Sequence, residues 1–145
     1  MDHAHPIRIL YIEDDPGLAR LVQKRLGKSG YAVDIAADGE QGIAKYEAGS
    51  YDVVFVDQTL PRYDGLQVIR ILASRGPLPP MIMITGTGDE KVAVEAMKLG
   101  TSDYIVKDGE GGYFKLLPSV IEKVLQQRRA VEEKQQVGRR SEENK

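Results

Sequence analysis

Five short apolar runs, separated by segments whose apolar residues recur at helical spacing, leave this chain few ways to fold. The runs are Ile7–Ile12 (Arg8 excepted), Tyr31–Ala36, Val53–Val56, Met81–Ile84 and Tyr104–Val106. Between them lie Leu18, Leu21, Val22 and Leu26, then Gly42–Ala48, then Leu66, Val68, Ile69 and Leu72, then Val92, Ala93, Ala96, Met97 and Leu99. Strand and helix alternating five times argue for an α/β domain with a parallel, doubly wound sheet. The central run sharpens this. Val53-Val54-Phe55-Val56 is unbroken and rich in β-branched residues, as in a strand buried on both faces. Asp57 is the first polar residue after it, at the carboxyl end of the strand, the edge where open α/β sheets bind ligands.

Punctuation supports the same division. Asp15 is placed to cap a first helix with Pro16 at its first position, and Gly27 or Gly30 ends it. Asp38-Gly39 and Asp64-Gly65 read as turns. Gly76-Pro77-Leu78-Pro79-Pro80 breaks the third helix. Asp89 can cap the fourth, which Gly100 stops. Asp108-Gly109-Glu110-Gly111-Gly112 reads as a flexible loop. A fifth helix starts near Tyr113 or Pro118 and carries Leu116, Leu117, Val120, Ile121, Val124 and Leu125. From Gln126 to Lys145 the chain is nearly all Gln, Arg, Lys and Glu. That composition fits either a solvated helix fraying into a tail or a helical connector. The expected organisation is a disordered start over residues 1–6, a folded domain over 7–125 and a polar helical extension over 126–145.

Composition excludes several classes of function. A chain of 145 residues with a formal net charge of −2 gives no electrostatic reason to expect nucleic-acid binding. With no cysteine, disulfides, thiolate metal sites and thiol catalysis are out. Neither a signal-peptide core nor an apolar run of membrane-spanning length is visible, so a soluble cytoplasmic domain away from membranes is expected. His3 and His5 are two apart in a polar terminus and read as surface residues rather than metal ligands.

The strand ends carry the chemistry. The first run delivers Glu13, Asp14 and Asp15, the third Asp57, the fourth Thr85 and the fifth Lys107. Gathering carboxylates from two strands into one crevice is costly unless a cation joins them. Carboxylates without Cys or nearby His suit a hard cation with oxygen ligands, Mg²⁺ first. A hydroxyl and an ammonium at the same edge supply donors for an anion. Together these groups describe phosphoryl transfer with Asp57 as nucleophile.

Four stretches, in order, then resemble the receiver domain of two-component response regulators. They are Ile9-Leu10-Tyr11-Ile12-Glu13-Asp14-Asp15-Pro16, Val56-Asp57-Gln58-Thr59-Leu60-Pro61-Arg62-Tyr63-Asp64-Gly65, Ile82-Met83-Ile84-Thr85-Gly86 and Gly100-Thr101-Ser102-Asp103-Tyr104-Ile105-Val106-Lys107. The resemblance covers about residues 7–125. It implies a flavodoxin-like, five-stranded sheet in the order 2-1-3-4-5, with Asp57 as phosphoacceptor. Glu13 and Asp14 would be the acidic pair that holds Mg²⁺ together with Asp57, and the backbone carbonyl of Thr59 would be a further ligand. Thr85 and Lys107 would bind phosphoryl oxygens, and Gly86 would leave them room. Tyr104 would be the switch aromatic that turns inward when Thr85 moves. The implied partners are a histidine kinase or histidine phosphotransfer domain, a possible second copy through helix four, strand five and helix five, and a downstream output module. Catalysis would be confined to the domain's own phosphorylation and dephosphorylation.

One position departs from the pattern. The family usually carries proline after the lysine, and here Asp108 follows Lys107, which implies a longer, looser loop and a less firmly placed ammonium. Two other readings are open to the same residues. A haloacid dehalogenase type of aspartyl-phosphatase would need a second Asp two residues after the first, where Thr59 stands. A receiver-shaped interaction module would never take phosphate.

Overall fold

The computed structural model describes residues 5–86, 89–108 and 111–143, residues 135–143 by backbone alone. Five strands, β1 (Arg8–Ile12), β2 (Ala32–Ala36), β3 (Val53–Asp57), β4 (Met81–Thr85) and β5 (Asp103–Val106), alternate with α1 (Pro16–Lys28), α2 (Gly39–Ala48), α3 (Gly65–Arg75), α4 (Glu90–Leu99) and α5 (Leu117–Glu143). A 3-10 helix, Gly112–Leu116, leads into α5. The strands form one parallel sheet in the order β2-β1-β3-β4-β5. This is the parallel, doubly wound sheet that the alternation of the sequence implies, in the flavodoxin-like order that the resemblance implies, with a long carboxyl-terminal helix.

Successive strand residues point to opposite faces, and both faces are covered. Ile9, Tyr11, Val53, Phe55, Ile82 and Ile84 meet α1 through Val22 and Leu26 and α5 through Leu117, Ile121 and Val124. Leu10, Ile12, Val54, Val56, Met81 and Met83 meet α2 through Ile43, α3 through Val68, Ile69 and Leu72, and α4 through Ala96. All of β3 is buried. Its lack of polar alternation therefore reflects two apolar layers.

The boundaries differ from the sequence reading in instructive places. Asp57 is the last ladder residue of β3, in register with Ile84, rather than the first residue beyond the strand. β1 and β2 each start one residue later than their apolar runs. Asp38 and Asp64, read as turn residues, are helix N-caps. The Asp38 carboxylate accepts the Gln41 N–H at 2.8 Å, so α2 begins at Gly39. Asp64 forms a reciprocal capping box with Gln67. Asp89 occupies the N-cap position of α4 but makes no side-chain cap bond. α1 ends at Lys28 with Ser29 as its C-cap, and Gly30 follows at φ +91. α5 starts at Leu117, after Tyr113 and one residue before Pro118, and stays helical to Glu143.

The expectations for His3 and for residues 1–4 of a disordered start fall outside the described residues, as do Thr87, Gly88, Gly109, Glu110 and the last two residues. Among the described residues no helix is long and apolar enough to cross a membrane.

Candidate functional site

The carboxyl ends of β1, β3, β4 and β5 converge. Just past β1, the Glu13 N–H donates to the Ala36 carbonyl at 2.9 Å, so the chain still follows the sheet there and carries the side chain inward. Glu13 is 2% exposed. Its Oε1 accepts the Tyr11 hydroxyl at 3.2 Å, and its Oε2 accepts the Asp15 N–H at 3.3 Å. Asp15 turns away to cap α1, accepting from Gly17 and Leu18. Its carboxylate is thus occupied, as its reading as a cap requires.

Asp57 is 4% exposed, with Oδ1 accepting the Thr59 N–H at 3.4 Å. Asp14 is exposed, yet one carboxylate oxygen from each of Glu13, Asp14 and Asp57 lies within 4.8 Å of the others. Lys107 answers this charge from just beyond β5. Its ammonium donates to Glu13 Oε1 at 2.7 Å and to Asp57 Oδ2 at 2.9 Å. Its backbone N–H donates to the Thr85 carbonyl at 2.7 Å, which fixes where the side chain sets out.

The loop after Asp57 is tied back to the strand. The Gly65 N–H donates to the Gln58 carbonyl at 3.0 Å, and the Gln58 side chain accepts the Leu66 N–H at 2.9 Å. A Cβ on Gly65 would lie 2.7 Å from the Asp57 carbonyl oxygen, so only glycine lets α3 approach this closely. Thr59 sits exposed on this loop. Thr85 is buried at the end of β4. With Gly86, Ala93, Tyr104 and Val106 it lines a cleft of about 250 Å³. The Tyr104 ring is 44% exposed and lies at the outer side of that cleft.

The electrostatics follow from one ammonium among three carboxylates. Partial burial lowers the Lys107 pKa, but its contacts with Glu13 and Asp57 outweigh that and leave it above the usual lysine value. Loss of water, followed by hydrogen bonding to Glu13, pushes the Asp14 carboxyl upward. Burial holds the Tyr11 hydroxyl far above the ordinary tyrosine value, with the Glu13 charge adding to it. Two buried carboxylates and a third at the rim, with no sulfur or imidazole among them, make a donor set that fits a hard divalent cation such as Mg²⁺.

Thus Glu13, Asp14, Asp57 and Lys107 meet at one point, while Thr85 and Tyr104 share the adjoining cleft. Three participants escaped the sequence reading. Tyr11 lies two residues before Glu13 in sequence, a spacing that could have suggested a shared side of the strand. Gln58 follows Asp57 and gave no signal. Tyr113, on the 3-10 helix, packs in the same core layer as Tyr11. It is buried, its hydroxyl has no hydrogen-bond partner, and burial pushes its pKa up to about 12 against the opposing pull of Lys107. Asp108 also has a local partner, since its carboxylate accepts the Tyr113 N–H at 3.4 Å.

Comparison with known proteins agrees with this geometry. The family described as the response regulator receiver domain matches residues 9–113. The transcriptional regulatory protein ResD of Bacillus subtilis (strain 168) is 36% identical over 107 residues, covering 74% of this chain and 44% of ResD. DltR of Streptococcus agalactiae serotype III (strain NEM316), another transcriptional regulatory protein, is 36% identical over 104 residues, covering 72% of this chain and 46% of DltR. The chain therefore spans less than half the length of these relatives. Among solved structures, a response regulator receiver domain protein from Clostridium thermocellum superposes with a TM-score of 0.78 at 25% identity, over 86% of this chain and 98% of that one. The response regulator TrrA from Thermotoga maritima, solved in complex with Mg(2+)-BeF, gives 0.70 at 27% identity over 82% of this chain and 99% of its own.

Proposed function

Because the chain belongs to the response regulator receiver domain family, we propose that Asp57 accepts a phosphoryl group from a phosphohistidine, on a histidine kinase or a histidine phosphotransfer domain. The observation that carries this is the buried Asp57 carboxylate at the end of β3, held by Lys107 and crowded by Glu13 and Asp14. In the forward step an Asp57 carboxylate oxygen attacks phosphorus, the P–N bond to the donor breaks, and the electron pair stays on the imidazole nitrogen. In the separate step of dephosphorylation water attacks phosphorus and gives up its protons to solvent or to the phosphate formed. The P–O bond to Asp57 breaks, the carboxylate is regenerated and inorganic phosphate leaves.

Glu13, Asp14, Asp57 and the Thr59 carbonyl are the residues that would hold Mg²⁺. When bound, the cation neutralises charge on the carboxylates and on the phosphoryl oxygens. Lys107 neutralises one phosphoryl oxygen and Thr85 donates its hydroxyl to another. Catalysis is confined to the domain's own modification, so its output is a signal. The exposure of Tyr104 and the cleft it lines together with Thr85 support its role in that signal. When Thr85 is drawn to the phosphoryl group, the ring turns inward and reshapes the face of α4, β5 and α5. Val94, Met97 and Val106 on that face are exposed, which supports pairing with a second copy there. We assign residues 7–125 to the receiver and 126–145 to an extension toward an output module, acting in the cytoplasm.

Intact-mass measurement after incubation with a small phosphodonor and Mg²⁺ is the direct test. The expected result is a gain of one phosphoryl group, lost in Asp57→Asn and in a folded Asp14→Ala. Steady turnover of donor without a labelled protein would point to a phosphatase, and no modification would point to an interaction module.

A further inference from the structure

The buried hydroxyl of Tyr113 is the one described side-chain polar atom that is sealed from solvent with no hydrogen-bond partner. Its ring is 4% exposed and packs in the same core layer as Tyr11, Ile84 and Ile105. Phenylalanine would fill that space without stranding a polar group. The surroundings of the hydroxyl are not those of an ordinary core tyrosine. The charges acting on it are those of Lys107, Glu13, Asp57 and Asp108.

The chain goes to some length to put it there. The Asp108 carboxylate accepts the Tyr113 N–H at 3.4 Å, and the Asp108 carbonyl accepts the Gly111 N–H at 3.3 Å. Gly111 has φ +75, and a Cβ on Gly112 would lie 2.6 Å from Asp108 Oδ2. Asp108 is therefore held against Gly111, Gly112 and Tyr113, which ties the start of the 3-10 helix to the residue after Lys107. Lys107 in turn has three N–H donors. Two are spent on Glu13 and Asp57. A phosphoryl group on Asp57 would draw the ammonium toward a new oxygen and away from these carboxylates.

We propose that Tyr113 is a positioning residue for Lys107, its hydroxyl accepting the third N–H of the ammonium when Lys107 turns to a phosphoryl oxygen on Asp57. The proposal rests on the phosphoacceptor reading above. It explains why the hydroxyl is retained: it is unpartnered in one state of the site and satisfied in the other, so it favours the occupied state. It also gives Asp108, at the position where the family usually carries proline, the task of seating that hydroxyl.

The test uses the full chain as wild type, Tyr113→Phe, Lys107→Ala and the double variant. Each is titrated with beryllium fluoride in saturating Mg²⁺ as a stand-in for the phosphoryl group, and assayed for Asp57 phosphorylation by a small phosphodonor. Tyr113→Phe should unfold at the same temperature as wild type or higher when unliganded, and should bind Mg²⁺ alone equally well. Its beryllium fluoride affinity and phosphorylation rate should fall about 10- to 150-fold, the range for one hydrogen bond to a charged group. In the Lys107→Ala background the same substitution should change neither by more than about twofold, because the coupling runs through the ammonium. Equal affinity and rate in Tyr113→Phe and wild type would overturn the proposal, as would an undiminished loss in the Lys107→Ala background or a lowered unfolding temperature. If wild type itself takes neither beryllium fluoride nor a phosphoryl group, the phosphoacceptor reading falls and this proposal with it.

Discussion

β3 and β5 each deliver one ion to the same site, and they do so from opposite kinds of structure. β3 runs through the middle of the sheet with every residue buried, and Asp57 is still part of its ladder. The helix beside it, α3, is closed by a capping box and presses on the Asp57 backbone at a glycine. β5 is an edge strand of four residues with Ile105 alone buried, and Lys107 lies just beyond it. α4, the helix next to that edge, starts without a side-chain cap bond at Asp89. The difference teaches where a site can afford motion. Asp57 is set by core packing, while the groups that answer it sit at an edge with fewer buried neighbours.

Truncation on each strand should expose this difference most strongly. Phe55, fully buried in β3 and edge-on to Tyr11 at 5.9 Å, should cost about 3–5 kcal/mol when replaced by alanine. Tyr104→Ala on β5 should stay within about 1 kcal/mol, because nearly half of the ring already meets water. Denaturant unfolding of the two variants measures both, and similar losses would erase the contrast. Gly65→Ala comes next. A methyl group driven toward the Asp57 carbonyl should cost about 1–3 kcal/mol and slow Asp57 phosphorylation, whereas wild-type stability would mean that α3 can slide.

The two helix starts give a finer comparison. Asp64→Ala removes a cap bond and should lower stability by about 1 kcal/mol. Asp89→Ala has no such bond to lose and should fall within about 0.5 kcal/mol of wild type. Matching losses on thermal unfolding would mean that α4 is as firmly begun as α3.

The smallest effect is the dependence on pH. The folded-state pKa of Lys107 lies above its ordinary value. Its ion pairs therefore stabilise the fold fully below about 10.5, the ordinary lysine value, and lose that contribution as pH rises through the folded-state value. In Mg²⁺-free solution, the stability gap between wild type and Lys107→Gln should shrink across that alkaline window. The effect is muted because the Lys107 side chain is 25% exposed. A gap that widens with pH would reverse the assigned sign.

The contrast between the strands also marks what could be read from the chain. An unbroken apolar run ending in one carboxylate announces β3 and Asp57, because burial on both faces leaves no room for polar residues. The meeting of Glu13 with Lys107, residues far apart in sequence, follows from the strand order. Asp38-Gly39 and Asp64-Gly65 were misread because an Asp before Gly looks the same in a turn and at a helix start. Only the partner of the carboxylate, the N–H three residues on, separates the two. Tyr113 could not be found at all, since its place depends on contacts of Asp108 with Gly111 and Tyr113 and on the positive φ of Gly111. The Gln, Lys, Glu and Arg that follow Gln126 are good helix formers whether or not anything packs on them. Composition therefore could not tell a frayed tail from the continuous helix observed.

That helix has a mechanical side. At Arg128 its guanidinium reaches back to the Leu78 carbonyl at 3.4 Å, and the backbone runs on as α-helix to Glu143. At 1.5 Å per residue the stretch beyond Arg128 is a rod about 22 Å long. A tilt of about 10° at that pivot would swing its far end about 4 Å, so the rod acts as a lever. Small adjustments where α5 meets the sheet, at Ile121 and Val124, would arrive enlarged at its far end.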